Sequence, residues 1–279
     1  YYGQEISYVN GFYYAYKIMI ESVKAKIQKF GILYDKKYDV FPEVNNYILK
    51  NDFLSPHFET INQIQKNSKI LDIGCNDGGL GNELIKEKEC EVTGIEINKN
   101  QLKYNLDAFH TCDLDKDLPN IDYNKFDNVV MLDVIEHLKN PEEFMRNLYS
   151  RVSNNSKIEI LISTPNISFF LIRFMLFFGF FNYGKRGILD RTHTRLFTFS
   201  SFSKLILGAN FKIVSVKGMP APFPLALGSN IFSNFLLNIN RFLIFFFKSL
   251  FSYQIFMKIR PNTPLELLLS RAKVKANFK

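Results

Sequence analysis

Apolar positions along this chain follow two rhythms, and the changes between them mark its elements. Short β-branched or apolar runs recur at 70–73, 91–97, 109–112, 126–132, 157–163, 211–218 and 253–259, each with strand character. Helical spacing predicts helices over 11–30, 44–49, 56–65, 80–88, 99–105, 141–151, 200–207 and 225–251. Pro56 and Pro141 suit a first helical position, Ser200 an N-cap and Gly31 a C-cap. From 69 to 166 strands and helices alternate, which predicts a parallel sheet with helices on both faces. The run 253–259 reads as a last, antiparallel strand.

The stretch with most chemistry is 69–79, KILDIGCNDGG. A buried strand runs into a glycine-rich turn, a helix follows, and the next strand ends on Glu96. Glu96 lies near the offset at which a nucleotide-binding α/β unit places a ribose-binding acid. Gly74, Gly78 and Gly79 allow close backbone approach or positive φ. The charge of the surroundings selects among ligands. Asp72, Asp77, Glu96 and Asp113 stand at or beside the strand ends, where they would repel a pyrophosphate and suit a cation. Asp72, Glu96, Asp113, Asp133 and Thr164 all fall at ends of strands, where doubly wound sheets bind ligands.

These residues resemble the SAM (S-adenosylmethionine)-dependent methyltransferases of the Rossmann-like class. Leu71-Asp72-Ile73-Gly74-Cys75-Asn76-Asp77-Gly78 is similar to that family's first motif, with Asn76 where a glycine is usual. Asn tolerates left-handed geometry, so the turn is expected to survive. DVIEHLKNP, from Asp133, matches the motif after the fourth strand. THTRLFT, from Thr192, is similar to the same place in ubiquinone-biosynthesis O-methyltransferases and polysaccharide-cluster methyltransferases. The resemblance implies a doubly wound, seven-stranded, mostly parallel α/β sheet. It places Asp72, Gly74, Cys75, Asn76, Gly78, Glu96, Ile97, Asp113, Leu114, Leu132 and Asp133 around SAM. Glu96 would hold the ribose hydroxyls, Asp72 and the 74–78 turn the methionine end, and Asp113 the adenine; the alternative for Asp113 is a loop cap. Asp133, Glu136 and His137 would line the floor near the sulfonium, with His137 either chemical or merely packed. His193 is the candidate general base toward an acceptor hydroxyl, its rival role being to tie down a loop.

Three domains are expected: a helical N-terminal cap or linker at 1–66, a SAM-binding core at 67–219 with a lid at 167–190, and a Phe-rich basic segment at 220–279. The N-terminal phrases resemble the segment joining glycosyltransferase to methyltransferase in bifunctional bacterial proteins. With Tyr1 in place of Met, a fragment is expected, and a fused or partner glycosyltransferase with it.

Composition adds little to the core and much to the tail. Among 279 residues there are 29 Phe and no Trp. Net charge is +8, and from Pro220 on eight Lys or Arg stand against one acid. A Phe-rich stretch at 225–251 with basic flanks reads as a peripheral membrane contact, or else as buried against the lid or a dimer partner. The apolar run 167–181 carries Arg173 and is too short for a confident span, leaving a lid or a membrane-facing surface. Cys75, Cys90 and Cys112 fit neither a disulfide framework nor a metal spacing, so no metal is expected, and Cys75 reads as a space-filler. No nucleic-acid motif is present. The expected location is cytoplasmic, at the inner face of the membrane, and the expected acceptor is a small molecule or glycan: a sugar hydroxyl of a surface or lipid-linked saccharide, or a quinone-type phenol.

Overall fold

A computed structural model describes residues 10–29, 34–38 and 49–263. The expected C-cap at Gly31, most of the helix at 44–49 and the basic tail from Leu265 lie outside them.

Seven strands form one sheet: β1 (Lys69–Ile73), β2 (Glu91–Glu96), β3 (Ala108–Thr111), β4 (Asn128–Leu132), β5 (Glu159–Pro165), β6 (Phe211–Met219) and β7 (Gln254–Pro261). Their order is β3-β2-β1-β4-β5-β7-β6. The first five run parallel, while β7 is antiparallel to both β5 and β6. The order in which successive strands are added reverses between β1 and β4, which opens the ligand crevice at their carboxyl ends.

Period-two alternation explains why both faces are covered. Leu71, Ile73, Val129, Met131, Ile160, Ile162, Ile255 and Met257 point to one face, under α4 (Pro141–Val152) and α6 (Phe199–Gly208). Ile70, Val92, Val130, Leu161 and Phe256 point to the other, under α2 (Pro56–Gln63) and α3 (Gly79–Lys88). Each fully buried side chain of this size stabilises the fold by roughly 1.5–3 kcal/mol. A helix with exposed aromatics, α1 (Gly11–Lys29), precedes this core.

Several expectations need correction. No helix spans 99–105; a single 3-10 turn at Lys99–Gln101 takes its place. Asn98 caps Asn100 N–H, and the amides of Lys103 and Tyr104 donate to Asp77 O, which folds the chain back onto the glycine turn. The N-cap of α6 is Thr198 and not Ser200, because Thr198 and Ser201 form a reciprocal capping box. In the apolar run only α5 (Phe170–Phe177) is helical, ended near Gly179 at φ +76°. The expected helix over 225–251 is three: α7 (Phe223–Leu227), α8 (Ile231–Phe246) and α9 (Lys248–Phe251). Gly228 at φ +81° separates the first two. Among the described residues no helix is long and apolar enough to cross a membrane.

Candidate active site

Glu96 ends β2 facing the glycine turn. Its Oε2 accepts from Asn76 N–H at 3.0 Å and its Oε1 from Ile97 N–H at 2.8 Å. The turn itself is left-handed at Gly74, Asn76 and Gly78, with φ of +75°, +50° and +80°. Asn76 therefore holds the geometry that a glycine would supply. Gly74 has a second reason to lack a side chain: a Cβ there would lie 2.4 Å from Val134 Cγ2. Asp77 Oδ1 caps Gly79 N–H at the start of α3, and Oδ2 lies 3.6 Å from Lys103 Nζ.

Asp72 is buried in β1, and burial first, then Glu96, pushes its carboxyl up to about 7. The charge of a bound cation would offset both effects. The donor set thus fits the ammonium and ribose of SAM: two acids, left-handed backbone and no side chain at the closest approach. Cys75 is also buried; burial, then Asp72 and Glu96, push its thiol far up, and a Cβ on Gly94 would meet its Sγ at 2.8 Å. It fills space between β1 and β2. Ile97 is exposed beyond β2, while Leu132 and Leu114 are half-buried. Asp113 caps its own loop, accepting from Asp115 N–H at 3.2 Å, and Lys116, at 3.2 Å, holds its carboxyl below the usual range.

Asp133 follows β4 at φ +55°. Ser163 Oγ donates to its Oδ1 at 2.7 Å and Gln254 Nε2 to its Oδ2 at 2.6 Å. The carboxylate is thus held from β5 and from β7. Ser163 and Gln254 were not singled out by sequence; each is a neutral polar side chain beside an apolar run, Ser163 after Ile160–Ile162 and Gln254 before Ile255–Met257, which is the signal that could have found them.

Beyond Asp133 a 3-10 turn (Ile135–His137) carries Glu136 and His137. Glu136 is buried, with Thr164 Oγ1 donating to Oε2 at 3.1 Å and no partner for Oε1. Burial, then Asp133, pushes its carboxyl well up. The Glu136 carbonyl accepts the amides of Thr194 and Arg195, which brings the 190–195 loop over the site. His193 Nδ1 lies 2.9 Å from Ile188 O, and His137 Nδ1 3.2 Å from Thr192 O. A carbonyl can only accept, so both Nδ1 atoms carry the proton and both Nε2 atoms keep a lone pair when the rings are neutral. The rings meet edge to face at 4.8 Å. Desolvation, with His137 adding, lowers the pKa of His193. Ligand atoms of Glu136, His137 and His193 all lie within 4.8 Å of one another, a grouping able to hold a metal ion. Sequence reasoning expected no metal because it searched for cysteine spacing, and these three meet only through the fold.

The family described as Methyltransferase domain matches residues 49–216. An (S)-tetrahydroprotoberberine N-methyltransferase of Eschscholzia californica is 32% identical over 34% of this chain and 29% of its own length. A ubiquinone biosynthesis O-methyltransferase of Rickettsia bellii is 29% identical over 50% of this chain and 55% of its own. The chain thus spans from under a third to about half of these relatives. A SAM-dependent methyltransferase structure from Archaeoglobus fulgidus is 19% identical, with a TM-score of 0.49 over 73% of this chain and 90% of that one. With the family matched over more than half of the chain, the chain belongs to the methyltransferase-domain family and carries a SAM-dependent methyltransferase domain.

Proposed function

We propose that this chain moves a methyl group to a hydroxyl oxygen of a small acceptor, with His193 as general base. SAM, when bound, supplies a methyl already activated by its sulfonium. Glu96 would hold the ribose hydroxyls, Asp72 the ammonium and Asp133 the floor beneath the reacting atoms, with the left-handed turn around the methionine end. With SAM bound, methyl transfer to the acceptor oxygen would release S-adenosylhomocysteine, and His193 Nε2 would take the proton that the oxygen gives up. The observation that carries this reading is the His193–Ile188 hydrogen bond, which leaves Nε2 bare on a half-buried, neutral ring beside Asp133.

The matched O-methyltransferases of ubiquinone biosynthesis favour a phenolic acceptor; a sugar hydroxyl made by a partner or fused glycosyltransferase is the other candidate. The test is His193→Ala. Turnover should fall about 10²- to 10⁴-fold with affinity for S-adenosylhomocysteine unchanged; undiminished turnover would remove the base. Failure of S-adenosylhomocysteine to bind the folded chain would instead favour a non-catalytic module.

A second reading rests on Glu136 Oε1, a buried carboxylate oxygen without a partner. Glu136, His137 and His193 would together ligate a divalent cation, and the acceptor oxygen would lose its proton beside it. His137→Ala separates the readings. It should leave most turnover if His193 acts alone, and abolish it, as a chelator would, if the three residues act as a ligand set.

A further inference from the structure

Helix α8 buries two polar side chains and leaves most of its aromatic rings exposed, with Leu236, Leu243 and Ile244 half-buried beside the buried stripe. Its buried stripe is Ser233, Leu237 and Asn240, at one helical face; Ser233 is 0% and Asn240 4% exposed. Ser233 closes the helix N-terminus with Asn230, and Asn240 accepts from Ala221 N–H while donating to Phe251 O. Polar groups thus fasten the helix to the body. The opposite face, Ile231, Phe232, Phe235, Ile239, Phe242 and Phe246, stands in solvent, with Ile231 90% and the neighbouring Phe245 83% exposed. Ordinary surface helices do the reverse.

The patch extends past α8. Phe251 of α9 meets Phe170 of α5 at 5.6 Å, and Phe174 and Phe177 of α5 are exposed in turn. Such a continuous apolar surface is far larger than scattered exposed hydrophobics. Its charge has one sign: α5, α7, α8 and α9 contain Arg173, Arg241 and Lys248 and no acid. Asn234 and Arg241 lie along one border of the apolar face, seven residues apart, where a long cationic side chain can reach an anionic headgroup while the rings enter the acyl boundary. At 16 residues α8 is about 24 Å long, too short to span but suited to lying in the plane of a membrane surface.

We propose that the outward face of α8, continued by α9 and α5, docks on an anionic lipid surface. A membrane suits it better than a protein because the rings project from a convex helix, which a fluid surface covers without a matching groove, and because the only charges on its helices are cationic. The proposal does not depend on the acceptor.

The experiment is vesicle flotation of the full chain with phosphatidylcholine alone or with added phosphatidylglycerol. Wild type should float about ten-fold more with the anionic vesicles, and Phe242→Asn with Phe245→Asn should abolish the difference. Both substitutions lie off the buried stripe, so S-adenosylhomocysteine affinity should be unchanged, which reports an intact fold. Absence of flotation, equal flotation on neutral vesicles, or undiminished flotation of the variant overturns the proposal. A wild-type dimer in sedimentation that the variant breaks, without flotation, assigns the face to a second copy.

Discussion

At Glu96 both carboxylate oxygens already accept a backbone N–H, so the side chain is aimed before any ligand arrives. Glu96→Ala should weaken S-adenosylhomocysteine binding by about 1.5–3 kcal/mol, roughly ten- to a hundred-fold, in a calorimetric titration. Asp72 makes an opposite case, since the fold works against its charge. Its carboxyl sits at about 7 in the fold against an ordinary 3.8. Below about pH 4 it is neutral in both folded and unfolded chains and costs nothing. As pH rises toward 7 the unfolded chain ionises first, so stability falls, and above 7 the full cost applies. That cost is on the order of 4 kcal/mol. Asp72→Asn should therefore raise the melting temperature of the ligand-free chain at pH 8 and leave it nearly unchanged at pH 4, as scanning calorimetry would show. For His193 the sign favours neutrality: desolvation and then His137 lower its pKa. The base is available above that pKa and lost below it, so turnover should fall along an acid limb that lies below pH 6.5, and His137→Asn should move that limb upward in a pH–rate profile. The placing of Asp72, Glu96 and Asp133 at or beside strand ends was legible because strand ends announce themselves in sequence. The partnership of Glu136, His137 and His193 was not, because hydrogen bonds of one loop to the backbone of another create it.

At the scale of elements, the strands were legible to within two residues because alternation and β-branching agree there. Helices went astray where a few polar residues outweigh the apolar pattern. The stretch 99–105 has helical spacing, yet Asn98 and the Asp77 carbonyl take its amides. Helix α8 was legible as a helix, but its orientation was not, since nothing in its pattern says that Ser233 and Asn240 face inward. Replacing Asn240 with Leu should show which side matters. It would strand Ala221 N–H and Phe251 O, at a cost of about 1–3 kcal/mol each, and lower the melting temperature, although leucine is the more apolar residue.

Across the whole molecule, strand order brings the β1 turn, the β2 acid and the β4 floor to one edge, and the parallel half of that order follows from alternating helices and strands. The position of β7 between β5 and β6 was not legible; long-range antiparallel pairing leaves no local trace. S-adenosylhomocysteine should raise the melting temperature of the intact chain and NAD should not, since the crevice is lined by acids that would oppose a pyrophosphate.

Met219 and Gln254 are register partners at the end of the β6–β7 pair. Everything from 220 to 253 therefore departs from and returns to one spot on the sheet. It is a detour that a tight hairpin turn could replace with strand register intact. Gln254 would stay in place against Asp133. The aromatic helices thus hang on the sheet by a single pair of strand positions, and removing them would test the core without disturbing its order.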